Sequence, residues 1–301
     1  MKILFLIILF LNSLFAFEYN LKPEKLAENS YYFYGKEEYF SKENGGDIAN
    51  SAFIITKKSV IVIDTGTTVD YANSMKKEIS KITKNPIKFV INTHHHPDHF
   101  LGNKAFKDAK IYATEHTIED IKLNGEKYVS NMVNLIGEAV YSTRALAPNK
   151  LLETKKLVLD NYELDILYLD GHTKSDIAIL DNKTKILYAS DLIFNQRALA
   201  TPHANLKKWI LALEELKKLD FKVLVPGHGK VTYSKNVIDE NIRYLKFLDK
   251  TLKDALENGL DTFEVLEQEV PKEFKNYSMF KEEYERSIIN LYKKYELQFS
   301  Y

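Results

Sequence analysis

Apolar and polar positions follow two periods along this chain. Short β-branched runs bounded by polar turns predict strands, and longer stretches with apolar residues three or four apart predict helices. "SAFIITKKSVIVIDTG" gives two strands, at 53–56 and 60–63. "DYANSMKKEISKI" follows as a helix, and "IKFVIN" is a buried-type strand that runs into a cluster of histidines. "KIYAT" predicts a further strand, and 117–141 one or two helices. "KKLVLDNYELDILYLDGH" and "SDIAILDNKTKILYASDLIF" predict hairpins with Asp-Asn turns at Asp160-Asn161 and Asp181-Asn182. "NLKKWILALEELKKL" is an amphipathic helix with Trp209, Leu213 and Leu216 on one stripe, and "KVLVPGHG" is a last buried strand breaking at Pro226. From Ser234 onward the pattern is helical, charged and interrupted near Pro271. Strands alternating with helices indicate mixed α/β layers.

The first sixteen residues differ from the rest. Lys2 precedes the almost wholly apolar "ILFLIILFLNSLFA", Ala16 is the small residue a signal peptidase needs, and the polar "EYNLKPEK" follows soon after. The apolar core is short for a bilayer span, so the expectation is a cleaved signal peptide (1–16), periplasmic export and no stable membrane anchor after cleavage. An uncleaved anchor is the alternative. The expected organisation is then one domain over 17–233 and a helical extension over 234–301. Lys plus Arg equals Asp plus Glu at 42 each, so no excess charge draws the chain to nucleic acid. Cysteine is absent, which excludes a lipid-modified cysteine, disulfides and thiolate metal ligands.

The chemistry concentrates in "VINTHHHPDHFLGN", which holds four of the chain's 8 histidines. In an extended segment His94 and His96 share a face and His95 points the other way. Pro97 forbids a regular helix running through the cluster, and Asp98 and His99 emerge from a tight turn beyond it. Neutral imidazole and carboxylate suit zinc, and also manganese or iron. Taken singly, the run is equally a histidine-rich loop that binds metal adventitiously. Three more segments change that balance: His172 in "GHTKSD", where Gly171 permits a sharp turn; Asp191 in "YASDLIF"; and His228 in "PGHG". Each follows a predicted strand, the usual placement of catalytic groups.

"THHHPDHFLGN" resembles the HxHxDH signature of the metallo-β-lactamase superfamily, and "GHTKSD", "YASDLIF" and "PGHG" are similar to its later metal-binding segments, in the same order. "VIVIDTG" resembles its early strand, with Asp64 structural rather than a ligand. The resemblance covers about residues 29–233. It implies an αββα sandwich with the site along one sheet edge. It further implies one metal on His94, His96 and His172, a second on Asp98, His99 and His228, and Asp191 bridging them. His95 falls at a variable position, beside the site or on the surface. His116 is expected at a strand end on the surface, and His203 near the site mouth.

Two subclasses of zinc β-lactamase use a cysteine ligand that this chain lacks, and the third is not expected to carry a bridging aspartate at the place of Asp191. Flavodiiron proteins carry glutamate where His96 stands. The ligand set therefore looks like that of glyoxalase II, lactonases and related hydrolases. "FEYNLKPEKLAENSYYFYG", "NGGDIANSAFIIT" and "TPHANLKKWILAL" are also similar to exported zinc metallohydrolases associated with quinoprotein relay systems, which implies a periplasmic quinoprotein partner. The implied activity is hydrolysis of an ester, thioester, lactone or amide in a small molecule by a hydroxide bridging two zinc ions, with Asp98 orienting it and carrying a proton. A cysteine-free β-lactamase and a non-catalytic metal-dependent relay component are the alternatives. Tyr39 and Phe40, on the loop "GKEEYFSKENGGDIANS", and His203 are the candidate substrate contacts, and Tyr39 and Phe40 stand equally as incidental aromatics on a hairpin tip.

Overall fold

The computed structural model describes residues 17–299, so the apolar leader lies outside the described residues. Strands β1 (Pro23–Ala27), β2 (Ser30–Phe33), β3 (Ser51–Ile55) and β4 (Val60–Ile63) run antiparallel in sequence order. Helix α1 (Val69–Ile82) then crosses over to β5 (Ile87–Ile91), parallel to β4. The short helix α2 (Pro97–Phe100) and a 3-10 turn lead to β6 (Lys110–Ala113). Helix α3 (Glu115–Ile136) and a second 3-10 turn precede β7 (Lys150–Leu151), which closes a seven-stranded sheet.

The second sheet has five strands: β8 (Lys156–Leu159), β9 (Tyr162–Leu169), β10 (Asp176–Asp181), β11 (Ile186–Phe194) and, after α4 (Leu206–Lys218), β12 (Val223–His228). Its order is β12-β11-β10-β9-β8, with only the β11–β12 pair parallel. Four helices finish the chain: α5 (Asn236–Glu257), α6 (Thr262–Leu266), α7 (Lys272–Lys275) and α8 (Phe280–Phe299). No helix among the described residues is long and apolar enough to cross a membrane.

Period-two alternation sorts the core into layers. In β4, Ile61 and Ile63 face the second sheet, meeting Ile177, Ile179 and Val225, whereas Val60 and Val62 face the opposite way onto Met75 and Ile79 of α1. On the far side of the second sheet Leu187, Ala189 and Leu224 pack under Trp209 and Leu213 of α4 and Leu245 of α5. The result is helices, sheet, sheet, helices: the expected αββα sandwich with C-terminal helices. Those helices share the α4 core through Tyr244, Phe274 and Ile288.

Several local expectations are corrected. Asp160 and Asn161 both adopt positive φ, as a two-residue hairpin turn requires, but the second turn spans 182–185 and its left-handed residue is Lys185. There Asp181 ends β10, and its carboxylate takes the Lys183 N–H at 3.0 Å and the Thr184 hydroxyl at 2.7 Å, which widens the loop. Pro97 starts a helix rather than a tight turn, because its missing N–H costs nothing in the first helical turn. Nor does Pro226 end β12: it sits on the edge strand, where no neighbour needs its N–H, and the strand continues to His228.

Candidate metal centre

Seven side chains from both sheets converge at one edge of the sandwich. His94 and His96 follow β5, Asp98 and His99 lie in α2, and His172 lies in the loop after β9. Asp191 lies inside β11, not after it. The β11–β12 register slips between Tyr188 and Ser190, where Ser190 takes a φ of 47°, and this bulge turns the Asp191 carboxylate into the cleft. His228 is the last residue of β12. Gly171 is required by packing rather than by a turn: a Cβ there would stand 2.5 Å from the Trp209 Cα. Gly227 likewise lets β12 approach β11, since its Cβ would stand 2.7 Å from the backbone of both Ser190 and Asp191.

Two groups of ligand-type atoms result, each gathered within 4.8 Å: His94, His96, His172 and Asp191 form one, and Asp98, His99 and His228 the other. Asp191 lies between them. Its Oδ2 is 3.3 Å from His172 Nε2 and 3.4 Å from His228 Nε2, and its Oδ1 is 3.0 Å from His99 Nε2. His228 Nε2 is also 3.4 Å from Asp98 Oδ2.

The outward ring nitrogens show how the inward ones are aimed. His99 Nδ1 contacts Asp64 Oδ2 at 2.8 Å, His172 Nδ1 contacts the Ala200 carbonyl at 3.1 Å, and His228 Nδ1 contacts the Ile48 carbonyl at 2.8 Å. Each acceptor fixes the proton on Nδ1 and turns the Nε2 lone pair toward the centre. His94 Nδ1 lies 3.1 Å from the Thr93 hydroxyl, which itself donates to Asp64 at 2.7 Å. Asp64 is thus structural, as expected, and its role is specific: with a φ of 57° it caps Thr93 and orients His99.

Inside the centre, His94 Nε2, His99 Nε2 and Asp191 Oδ1 are buried without a hydrogen-bond partner. The 3.0 Å approach of His99 Nε2 to Asp191 Oδ1 leaves both atoms without a hydrogen-bond partner. Orphaned buried lone pairs of this kind are what a cation would satisfy, so the residues present fit metal ions. Burial holds His94 and His96 neutral, well below the ordinary imidazole range, and pushes His172 down to about 4. Burial would lower His99 too, but the carboxylates of Asp191, Asp98 and Asp64 outweigh it and hold the ring well above that range. Burial works against ionised Asp191, yet His99 and His228 hold its carboxyl well below the usual carboxylate range. The half of the site around Asp98 and Asp191 therefore calls for positive charge.

A cleft of about 260 Å³ opens onto the centre, lined by Asp98, Asp191 and His228 together with Tyr39, Phe40 and His203. A larger groove of about 690 Å³ near Asn29 and Tyr162 contains no histidine and lies away from this chemistry. Residues 34–50, which carry Tyr39 and Phe40, join the antiparallel strands β2 and β3 as a long hairpin loop, and Asn44 ties this loop by donating to the Tyr39 carbonyl at 2.7 Å. His203 Nδ1 meets His96 Nε2 at 2.8 Å. His95 is buried beside His96, and half-buried His116 stands at the start of α3, just past the end of β6.

Sequence patterns gave no sign of three other residues of the cleft wall. Arg197 and Glu283 are both buried, and Arg286 donates to both Glu283 oxygens at 3.0 and 2.9 Å. In the sequence Glu283 and Arg286 are charges at i,i+3 spacing, the usual look of a solvated helix face.

Residues 44–228 match the metallo-beta-lactamase superfamily, and the chain belongs to it. It is 21% identical over 285 residues to a linear primary-alkylsulfatase of Pseudomonas sp., covering 79% of this chain and 54% of that protein, so it spans about half that relative's length. It is 25% identical over 190 residues to the metallo-beta-lactamase IND-1 of Chryseobacterium indologenes, covering 60% of this chain and 72% of that one. Among solved structures, a metallo-beta-lactamase from Pontibacter korlensis superposes with a TM-score of 0.61 at 21% identity, covering 75% of this chain and 99% of that one.

Proposed function

We propose that the chain is an exported, periplasmic binuclear zinc hydrolase acting on a small molecule with an ester, thioester, lactone or amide bond. Zinc is favoured by the imidazole-rich, cysteine-free donor set, which iron or manganese would also suit. One observation carries the reading: Asp191 lies between two ligand groups, and His94 Nε2, His99 Nε2 and Asp191 Oδ1 at their meeting point are buried and unsatisfied. His94, His96 and His172 would hold one ion, Asp98, His99 and His228 the other, and Asp191 would bridge. When bound, the ions supply an activated water nucleophile near neutral pH and polarise the group under attack.

The chain's own residues do the rest. Asp98 faces the cleft beside His228, where its second oxygen can accept the proton of the attacking water and pass it to the leaving group. Buried rings and the aromatic loop at Tyr39 and Phe40 limit water around the reacting bond. Arg197 and Arg286 flank the single carboxylate of Glu283, which leaves a net positive wall suited to an anionic substituent on the substrate. Superfamily relatives named as a thioesterase and an alkylsulfatase support trying acyl thioesters and sulfate esters first.

The test joins metal analysis of the purified protein to a panel of ester, thioester, lactone, alkyl sulfate and β-lactam substrates. Two ions per chain with turnover of an acyl or sulfate ester is expected, with β-lactams slow by comparison. In Asp191→Ala, metal content should fall and activity drop by orders of magnitude while circular dichroism is retained. Two ions and normal turnover in that variant would remove the bridge.

A further inference from the structure

Three histidines remain outside the seven-residue centre, and two of them stand against its outer surface. His95 is only 5% exposed, and its Nδ1 is buried with no hydrogen-bond partner. His203 approaches His96 Nε2 at 2.8 Å, the same distance at which His172 Nε2 approaches His96 Nδ1 on the inner side. The inner group provides a yardstick. There the rings of His94, His96 and His172 have centroids 4.6 to 5.0 Å apart. The outer rings are 5.0 Å apart for His95–His96, 5.0 Å for His96–His203 and 5.9 Å for His95–His203. One ligand nitrogen from each of the three lies within 4.8 Å of the other two.

We propose that His95, His203 and the outer nitrogen of His96 form a separate site for a divalent transition ion, zinc or copper, at the mouth of the catalytic cleft. It rests on the reading of the inner centre only in that His96 would then serve both, its ring lying between the two ions. A hydrogen bond between His96 and His203 accounts for those two nitrogens but leaves His95 Nδ1 buried and unused. An ion within reach of all three rings gives the buried His95 ring a ligand role, and takes the place of the proton shared by His96 and His203.

The surroundings set the strength. The adjoining cleft, about 570 Å³, carries the Asp120 carboxylate, which Tyr128 holds by a hydroxyl donated at 2.8 Å. Lys127, Lys174 and Lys294 line the same cleft and oppose a dication, so the outer ion binds more weakly than the inner pair. The same lysines favour an anion or hydroxide on the ion's remaining position. Because His203 and Tyr128 border both clefts, an ion here narrows access to the centre, and excess metal inhibits.

Equilibrium dialysis of the full chain against rising Zn2+ tests this. Wild type should take up its tight ions and then one more, at least tenfold weaker, with activity falling as the last site fills. His95→Gln and His203→Gln should keep the tight ions and lose the extra one, and His95→Gln should also lose the inhibition. Wild type that saturates at two ions, or a His95→Gln protein that still binds a third, overturns the proposal. A wild type with no tight ion overturns the inner centre and the shared His96 together. As a second measurement, Cu2+ added to zinc-loaded wild type should give an electron paramagnetic resonance spectrum with imidazole-nitrogen splitting that His95→Gln abolishes. Oxygen-only coordination in wild type overturns the outer site.

Discussion

Gly227 is the most economical place to break the centre without removing a ligand. A methyl group there would stand 2.7 Å from the Asp191 amide nitrogen and from the Ser190 carbonyl carbon, and nearer still to the Asp191 carboxylate. Ordinary contact begins at 3.4 Å, so the bulge in β11 must retreat by about 0.7 Å, and the carboxylate by more. Metal–ligand distances tolerate about 0.2 Å, and a misplacement of about 1 Å in a reacting group costs on the order of a hundredfold. Gly227→Ala should therefore lose at least one ion on dialysis and at least a hundredfold in kcat/KM. Overpacking should also lower stability by about 1–3 kcal/mol. Metal content and turnover are measured beside a thermal melt, with Asp191→Ala and the double variant completing a cycle. The two changes should be strongly non-additive in metal content, because both act through one carboxylate. A Gly227→Ala protein with two ions and wild-type turnover would show that Asp191 is not held where the bulge puts it.

Asp64→Ala should reduce metal affinity at the Asp98–His99–His228 group by roughly 10- to 100-fold, since it frees the His99 ring without touching an ion; unchanged affinity on competition with a chelator would refute this. Metal-free protein should lose stability between pH 6.5 and 4.5. His94, His96 and His172 stay neutral in the fold, His172 down to about 4, while the unfolded chain protonates them below about 6.5. The raised His99 and His228 act in the opposite sense, but their contribution is complete below about 6.5 and fades only as pH rises above it. Urea midpoints that do not fall over that acid window would contradict the assignment.

The layers and the ligand segments were legible because they are local. β4 alternates core faces every second residue, and each histidine or aspartate of the centre lies at or near the end of a strand. What escaped was geometry set by neighbours far along the chain. Asp191 looked like a residue beyond its strand because a bulge forced by the approach of Gly227 leaves no local mark. Asn50 was equally silent, although its amide donates to the carbonyls of both Pro226 and Gly229 at 2.8 Å and so aligns the His228 strand end with the first sheet. Glu283 carries no local mark either: the packing of α8 buries its carboxylate between Arg197 and the half-buried Arg286.

The attachment of α8 has a consequence for anyone who would shorten or exchange the tail. Ala198 donates its amide to the Ser278 carbonyl at 3.0 Å, and the Thr201 hydroxyl donates to Ser287 at 2.7 Å. Between those staples sits Ala200, whose carbonyl holds the His172 ring, and two residues beyond them sits His203. A cut at 233 would remove Glu283 and Arg286 from the pocket and also release the segment that aims a metal-facing histidine. Grafting tails between relatives would then change substrate range and metal retention together, so the extension behaves as a tuning part of the catalytic machine and not as a detachable appendage.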